Sequence, residues 1–202
     1  MSADLSLDVV IVSYRCRELL RACLRSVEEN PPSCPVRVHV VDNASEDGTV
    51  EMVREEFPSV RLTAAARNLG FARANNLAIA EGEAPYVLAL NPDTRLRPGT
   101  LDTLLEVMER DPRLAVAGPA LRQADGTLDH AGKRSFPTPV SALGHFLRVG
   151  RRLRSGPLAA YRAPTVESGP VDAVNGAFML MRRVAFEQAG GFDEGYWMYM
   201  ED

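Results

Sequence analysis

The chain has 202 residues, 46% of them hydrophobic, enough to bury one real core or at most two small ones. Its formal net charge of -4 argues against a general nucleic-acid binder, and no apolar run approaches membrane-spanning length. Cys16, Cys23 and Cys34 are odd in number and lack CxxC spacing, so they read as reduced thiols of a cytoplasmic protein, not as a disulfide frame or zinc site. The stretch MSADLSLDVVIVSY has no basic segment and carries Asp4 and Asp8, which reads against a signal peptide.

Leu7–Ser13 (LDVVIVS) is a β-branched run and the first expected strand. Residues 18–28 place Leu19, Leu20, Cys23, Leu24 and Val27 at helical spacing, ended by Asn30-Pro31-Pro32. Residues 36–41 form a second strand with Asp42-Asn43 at its carboxyl end, and Asp47-Gly48 makes a turn. A short helix over 49–57, a strand over 60–64 and the loop Arg67-Asn68-Leu69-Gly70 follow. Phe71–Ala80 is an Ala-rich helix. Tyr86–Leu90, bounded by Pro85 and Asn91-Pro92, has the profile of a strand buried on both faces. A helix over 98–110 and a fifth strand over 114–121 complete the regular part.

Strand and helix alternate with connections that suit right-handed crossovers, so the expected fold is α/β: a Rossmann-like, mostly parallel sheet with helices on both faces. Ser13-Tyr14, Asp42-Asn43, Arg67-Asn68 and Asn91–Asp93 then gather at the carboxyl ends of strands, where open α/β sheets bind ligands. Pro92 ends its strand, so Asp93 is the first acid beyond a central strand. A carboxylate there is a natural hard-cation ligand. Equally, Asn91, Asp93 and Thr94 read as caps of the helix that Pro98 begins.

The second half is less regular. Residues 130–166 contain no Asp or Glu but hold Lys133, Arg134, Arg148, Arg151, Arg152, Arg154 and Arg162, a basic excursion on an otherwise acidic chain. Within it, 145–154 (HFLRVGRRLR) interleaves apolar residues with arginines, which suits either a peripheral contact with an anionic membrane or a solvated lid. Strands over 171–175 and 177–181 flank Asn175-Gly176, a hairpin or tight-bend signal, and a helix over 182–188 ends at Gly190-Gly191. The expected organisation is a single domain, with residues 1–125 as its regular α/β half and residues 126–202 as its less regular half. His39, His130 and His145 are scattered and read as single buried or solvated histidines.

Six pieces in order carry a resemblance: VVIVSY (9–14), VDNASEDGT (41–49), RNLGFARANN (67–76), LNPDT (90–94), VNGAFMLMRR (174–183) and GGFDEGYWMYMED (190–202). The sequence resembles the family 2 glycosyltransferases of the GT-A fold, within them the rhamnosyltransferase-like branch. That resemblance implies inverting transfer of a sugar, rhamnose first among the guesses, from a UDP- or dTDP-sugar to a hydroxyl acceptor, a glycan or a lipid-linked one, in cell-surface polysaccharide synthesis. It implies Mg2+ or Mn2+ as cofactor, held by Asp93; Asn91-Pro92-Asp93 stands where Asp-x-Asp is usual, so a single acid is the charged ligand. It further implies that Ser13 and Tyr14 line the nucleotide pocket. Asp42 accepts a hydrogen bond from a pyrimidine N3–H, with Asn43 beside it. Arg67 and Asn68 hold the ribose–diphosphate region, and Gly70 permits close backbone approach. Asn91, Asn175 and Glu201 fall in the substrate-binding set, and Asp202 is the general base. Family members continue through a helix that backs this acid, so the carboxyl-terminal part is expected to be truncated. The expected location is cytoplasmic, peripheral at the inner face of the membrane. The alternatives are a nucleotide-sugar-binding module without turnover and, less well matched, a nucleotidyltransferase; the latter needs a Gly-rich basic loop after the first strand, and Ser13-Tyr14-Arg15-Cys16 is not one.

Overall fold

Unbroken apolar runs, residues 9–12 and Tyr86–Leu90, make the two central strands, because both faces of the sheet are covered there. The computed structural model describes residues 5–129, 133–134, 169–171 and 173–196. Its elements in chain order are β1 (Leu7–Ser13), α1 (Arg17–Glu29), β2 (Val36–Asp42), α2 (Thr49–Glu56), β3 (Arg61–Ala64), α3 (Phe71–Ala80) and β4 (Tyr86–Leu90). There follow α4 (Thr100–Arg110), β5 (Val116–Ala117), β6 (Lys133–Arg134), β7 (Ala173–Val174), β8 (Phe178–Arg182) and α5 (Arg183–Ala189). The chain divides into two compact units, Met1–Ala117 with Gly176–Asp202, and Gly118–Asn175.

The first unit holds a six-stranded sheet in the order β3-β2-β1-β4-β8-β5. β1 to β4 run parallel, and β8 lies antiparallel to both β4 and β5. Every residue of β4 is buried, as are six of the seven in β1. The chain steps outward from β1 to β3, then returns to lay β4 on the other side of β1. The strand order therefore reverses between β1 and β4, and the carboxyl ends of that pair frame the crevice such sheets offer to ligands.

The mostly parallel α/β sheet is the one expected, with three local differences. The fifth strand is two residues long, because Gly118 and Pro119 follow at once and proline has no N–H to give a ladder. The Asn175-Gly176 bend is not a hairpin: β7 pairs with β6, whereas β8 pairs with β4 and β5. α4 starts two residues after Pro98, with Gly99 (φ 74°) taking the left-handed position before it and no side chain capping it. That removes Asn91, Asp93 and Thr94 from the capping role. In the second unit, the expected Asp125-Gly126 turn is closed by the bond from the Gln123 N–H to the Thr127 carbonyl (2.9 Å).

The amino ends of the strands are tied by polar groups. Asp8, 6% exposed, accepts from Arg37 Nε (3.0 Å) on one oxygen, and from Arg183 Nη2 (2.8 Å) and the Ala84 N–H (2.9 Å) on the other. Arg183 also donates to the carbonyls of Ala84 (2.7 Å) and Ile79 (2.8 Å). Its neighbour Arg182 serves the other helix: it donates to the carbonyls of Leu114 (2.9 Å) and Met108 and to the Tyr86 hydroxyl (2.6 Å), over whose ring it stacks. Burial, helped by the hydrogen bond Tyr86 donates to Glu109 (2.5 Å), pushes the Tyr86 phenol up to about 12.

Arg183→Met should cost about 3–5 kcal/mol in chemical denaturation, because it removes the less exposed of the two guanidiniums that pair with a buried carboxylate. Removing the exposed Arg113–Asp111 pair by Arg113→Met is the control and should leave the midpoint nearly unchanged. His39 supplies a pH test. It is buried in β2 and hydrogen-bonded to Thr63 (2.8 Å); burial lowers its pKa below the ordinary 6.5, with Glu81 opposing. The unfolded chain thus takes up this proton at higher pH than the folded one. The stabilisation is present above pH 6.5 and is lost as pH falls through the lower folded value. His39→Gln should flatten the decline of Tm below pH 6.5, and an unchanged slope would remove His39 from the account.

Candidate functional site

Register sets the rim. Ser13 pairs with Asp42 and Asp42 with Ala64, so three strands end level. Leu90 pairs with Ile11, so residues 91–93 leave the sheet beside the end of β1. Ser13 is fully buried, its hydroxyl 3.3 Å from Cys16 Sγ and its carbonyl accepting the Asn43 N–H (2.8 Å). Tyr14 is 44% exposed, with the Arg15 guanidinium 5.2 Å from its ring centre. Asp42 is 3% exposed. Its Oδ2 accepts the Ser45 N–H (3.1 Å), but its Oδ1 is enclosed and has no hydrogen-bond partner among the described residues. A buried acceptor left unpaired costs about 1–3 kcal/mol, so such atoms are nearly always filled.

Asn43 is spent within the protein. Its Nδ2 donates to Asn68 Oδ1 (2.9 Å) and the Gly70 carbonyl (3.2 Å), and its Oδ1 accepts the Leu69 N–H (2.8 Å). Asn68 Oδ1 also accepts the Gly70 N–H (2.9 Å). Gly70 sits at φ 82°, ψ 175°, a region essentially reserved for glycine. Arg67, just before this knot, is exposed and makes no ion pair or hydrogen bond among the described residues.

The loop after β4 is a turn that presents Asp93. The Asn91 carbonyl accepts the Thr94 N–H (3.2 Å), Thr94 Oγ1 (2.6 Å) and Cys23 Sγ (3.7 Å), while the Asn91 N–H donates to the Ala177 carbonyl (2.9 Å). Asp93 is exposed, and no hydrogen bond or ion pair engages its carboxylate among the described residues. Burial pushes the Cys23 thiol beside it up to about 12. Among the described residues, no three His, Cys, Asp or Glu side chains gather as a metal cage. A single open carboxylate still fits Mg2+ or Mn2+, which bind through one or two carboxylates and complete their shell with water and phosphate oxygens.

Two features of the rim involve cross-loop bonds that the sequence does not indicate, although part of them lies in the 41–49 motif. Arg15 (φ 51°), Ala44 (φ 62°) and Glu46 (φ 54°) are the non-glycine residues with positive φ among those described, and they flank one bond, from the Arg15 N–H to Ser45 Oγ (3.0 Å). Asp47 joins two helix starts, accepting the Arg17 N–H (3.2 Å) on one oxygen and the Thr49 N–H (3.1 Å) and hydroxyl (2.6 Å) on the other. Burial works against ionisation there, yet these three bonds win and hold its carboxyl below the usual range. Downstream, Asn76 clasps the Phe192 backbone, donating to its carbonyl (2.9 Å) and accepting its N–H (3.0 Å), while Phe192 packs edge-on against Phe71 and Phe186.

The first unit thus brings together Ser13, Tyr14, Asp42, Asn43, Arg67, Asn68, Gly70, Asn91 and Asp93 at strand ends and the loops that follow them. Asn175 belongs to the second unit. Glu201, Asp202, His130, His145 and segment 145–154 lie outside the described residues.

The sequence profile of glycosyl transferase family 2 matches residues 8–190. The chain belongs to that family. It is 36% identical over 209 residues to an N-acetylglucosaminyl-diphospho-decaprenol L-rhamnosyltransferase of Mycobacterium tuberculosis, covering 97% of this chain and 67% of the relative. It is 32% identical over 141 residues to rhamnosyltransferase WbbL of Escherichia coli, covering 66% of this chain and 51% of the relative. Among solved structures, mannosyltransferase PcManGT from Pyrobaculum calidifontis with GDP-Man and Mn2+ matches at TM-score 0.63 and 21% identity, over 93% of this chain and 47% of that one. TarS 1-349 of S. aureus with UDP matches at TM-score 0.65 and 14% identity, over 98% and 53%. The chain therefore spans about half the length of these structures, and the likeness establishes a GT-A fold. No described helix is long and apolar enough to cross a membrane.

Proposed function

We propose that this chain carries the donor site of an inverting, metal-dependent glycosyltransferase that moves a sugar, rhamnose first among candidates, from a UDP- or dTDP-sugar to a hydroxyl of a glycan or lipid-linked acceptor. The observation that carries the reading is the buried, partnerless Oδ1 of Asp42 at the carboxyl end of β2. It is an acceptor waiting for an N–H, and the N3–H of uracil or thymine supplies one. Exposed Arg67 and Asp93 support the same reading, since a guanidinium and a carboxylate-held cation are what a diphosphate requires. The curated relatives named as rhamnosyltransferases support the choice of sugar, and the decaprenol in one name supports a lipid-linked acceptor. In this reading residues 1–125 hold the donor and residues 126–202 form the acceptor side.

The chemistry is one displacement. The acceptor hydroxyl oxygen bonds to the anomeric carbon as the bond to the diphosphate oxygen breaks, and the nucleoside diphosphate leaves with the electron pair. The hydroxyl proton passes to a carboxylate, the role proposed for Asp202, with Glu201 beside it. Ser13, Tyr14 and Asp42 hold the nucleoside, and Arg67 lies against the phosphates. Asp93 would hold a divalent ion, which would supply charge neutralisation for the departing diphosphate. One displacement inverts the anomeric centre and needs no carboxylate nucleophile.

UDP or dTDP with Mn2+ or Mg2+ should raise the melting temperature, adding about 2.7 kcal/mol at one hundred times Kd. Asp93→Ala should remove the metal-dependent part. Asp42→Asn should weaken the nucleotide by about 1.5–3 kcal/mol more than it weakens pyrophosphate. Melting curves indifferent to both nucleotides with both metals would sink the donor-site reading. The reading also places the protein in the cytoplasm, peripheral to the membrane's inner face through 145–154. Changing Arg148, Arg151, Arg152 and Arg154 to Gln should then abolish salt-sensitive binding to anionic vesicles, at about 1 kcal/mol per arginine, and leave nucleotide affinity intact. If the unaltered protein ignores such vesicles at low salt, the membrane contact is wrong.

A further inference from the structure

We infer that Asn43 is a positioning residue of the donor site, a latch that presets the Arg67–Gly70 loop, and not a group that touches the donor. The inference rests on the donor-site reading above and divides the labour within it. Asn43 is 3% exposed, and both N–H donors of its amide already have acceptors, Asn68 Oδ1 and the Gly70 carbonyl. Its oxygen already holds the Leu69 N–H. An amide so committed has no donor left for a nucleotide. Asn68 is likewise engaged, its oxygen shared between Asn43 and the Gly70 N–H.

The latch has something to hold. Gly70 takes a backbone conformation essentially open to glycine alone, a residue with many other conformations to choose from, and it stands immediately before α3. Arg67 has no partner of its own among the described residues, so nothing it touches fixes where its guanidinium projects. The backbone that carries it is fixed by the Asn43–Asn68 knot one residue later. Asn43 itself is anchored to β1 by its N–H bond to the Ser13 carbonyl. The knot therefore ties the loop after β3 to the strand end that lines the nucleoside. Releasing it frees Arg67 from the diphosphate while leaving the Asp42 carboxylate, held separately by the Ser45 N–H, where it is.

A double-mutant cycle in the presence of Mn2+ tests this. Affinities for UDP, dTDP, pyrophosphate and the nucleosides uridine and thymidine are measured for the unaltered protein, Asn43→Ala, Arg67→Ala and the double variant. The expected result is that Asn43→Ala weakens pyrophosphate and the better nucleoside diphosphate equally, by about tenfold, and spares the nucleosides. In the double variant, the loss should not exceed that of Arg67→Ala alone, because Asn43 acts through Arg67. A purely structural role would weaken nucleosides and diphosphates alike, and a direct contact would give independent, multiplying losses; either result overturns the inference while the donor site stands. If the unaltered protein binds neither nucleotide nor pyrophosphate, the donor-site reading fails first and takes the latch with it. Asn68→Ala provides a second entry: it cuts the same knot from the other side and must reproduce the Asn43→Ala pattern even if Asn43→Ala fails to fold.

Discussion

A buried carboxylate at the start of the first strand holds this fold in register. Asp8 gathers a guanidinium from β2, a guanidinium from the start of α5 and a backbone N–H from the loop before β4, so four segments distant in sequence meet on two oxygens. The crowding is tight enough that a methyl group at Gly82 would stand 2.2 Å from Asp8 Oδ2. Breaking such a pair costs far more than forming it gains, because the surviving charge stays buried. The interaction thus acts as a constraint on geometry more than as a source of stability. With the amino ends of the strands locked, their carboxyl ends are free to carry groups that no described residue satisfies.

The two ends of the sheet differ in how their polar groups are used. At the amino end, Arg182, Arg183, Tyr86, Glu109 and Asp8 are matched to one another or to backbone carbonyls. At the carboxyl end, an oxygen of Asp42 lacks a partner among the described residues, and three of the described non-glycine residues sit at positive φ. Strained backbone of this kind costs on the order of 1–3 kcal/mol per residue and persists where the surroundings over-determine it. Here the surroundings are the cross-loop bonds through Ser45, Asn43 and Asn68. They make the rim rigid before any ligand arrives, which lowers the ordering cost of binding.

Much of this was legible in the sequence, for physical reasons. Residues 9–12 and Tyr86–Leu90 are unbroken apolar runs, and the strands that hold them, Leu7–Ser13 and Tyr86–Leu90, have the bounds the sequence suggests. Asp42, Arg67 and Asp93 follow strand-ending signals, so their place on the rim follows from topology. What sequence could not convey was partnering. Asn43 and Arg67 look equally like ligand groups in a motif, yet one is saturated and the other has no partner among the described residues. Arg182 and Arg183 both read as the start of a helix, without a hint that Arg182 ends a strand or that each binds a carbonyl of a different helix. Asp8 reads only as an acid near the amino terminus. β8 gives an apolar pattern that fixes neither its direction nor its place between β4 and β5, because antiparallel insertion depends on where the chain returns from.

Cys23 braces the loop beside it from within. Its sulfur donates to the Asn91 carbonyl, and burial pushes the thiol up to about 12. The same carbonyl accepts the Thr94 N–H and hydroxyl, so one oxygen gathers the donors that close the turn. Asp93 is therefore carried on backbone held from the helix side, while its own carboxylate stays exposed to solvent.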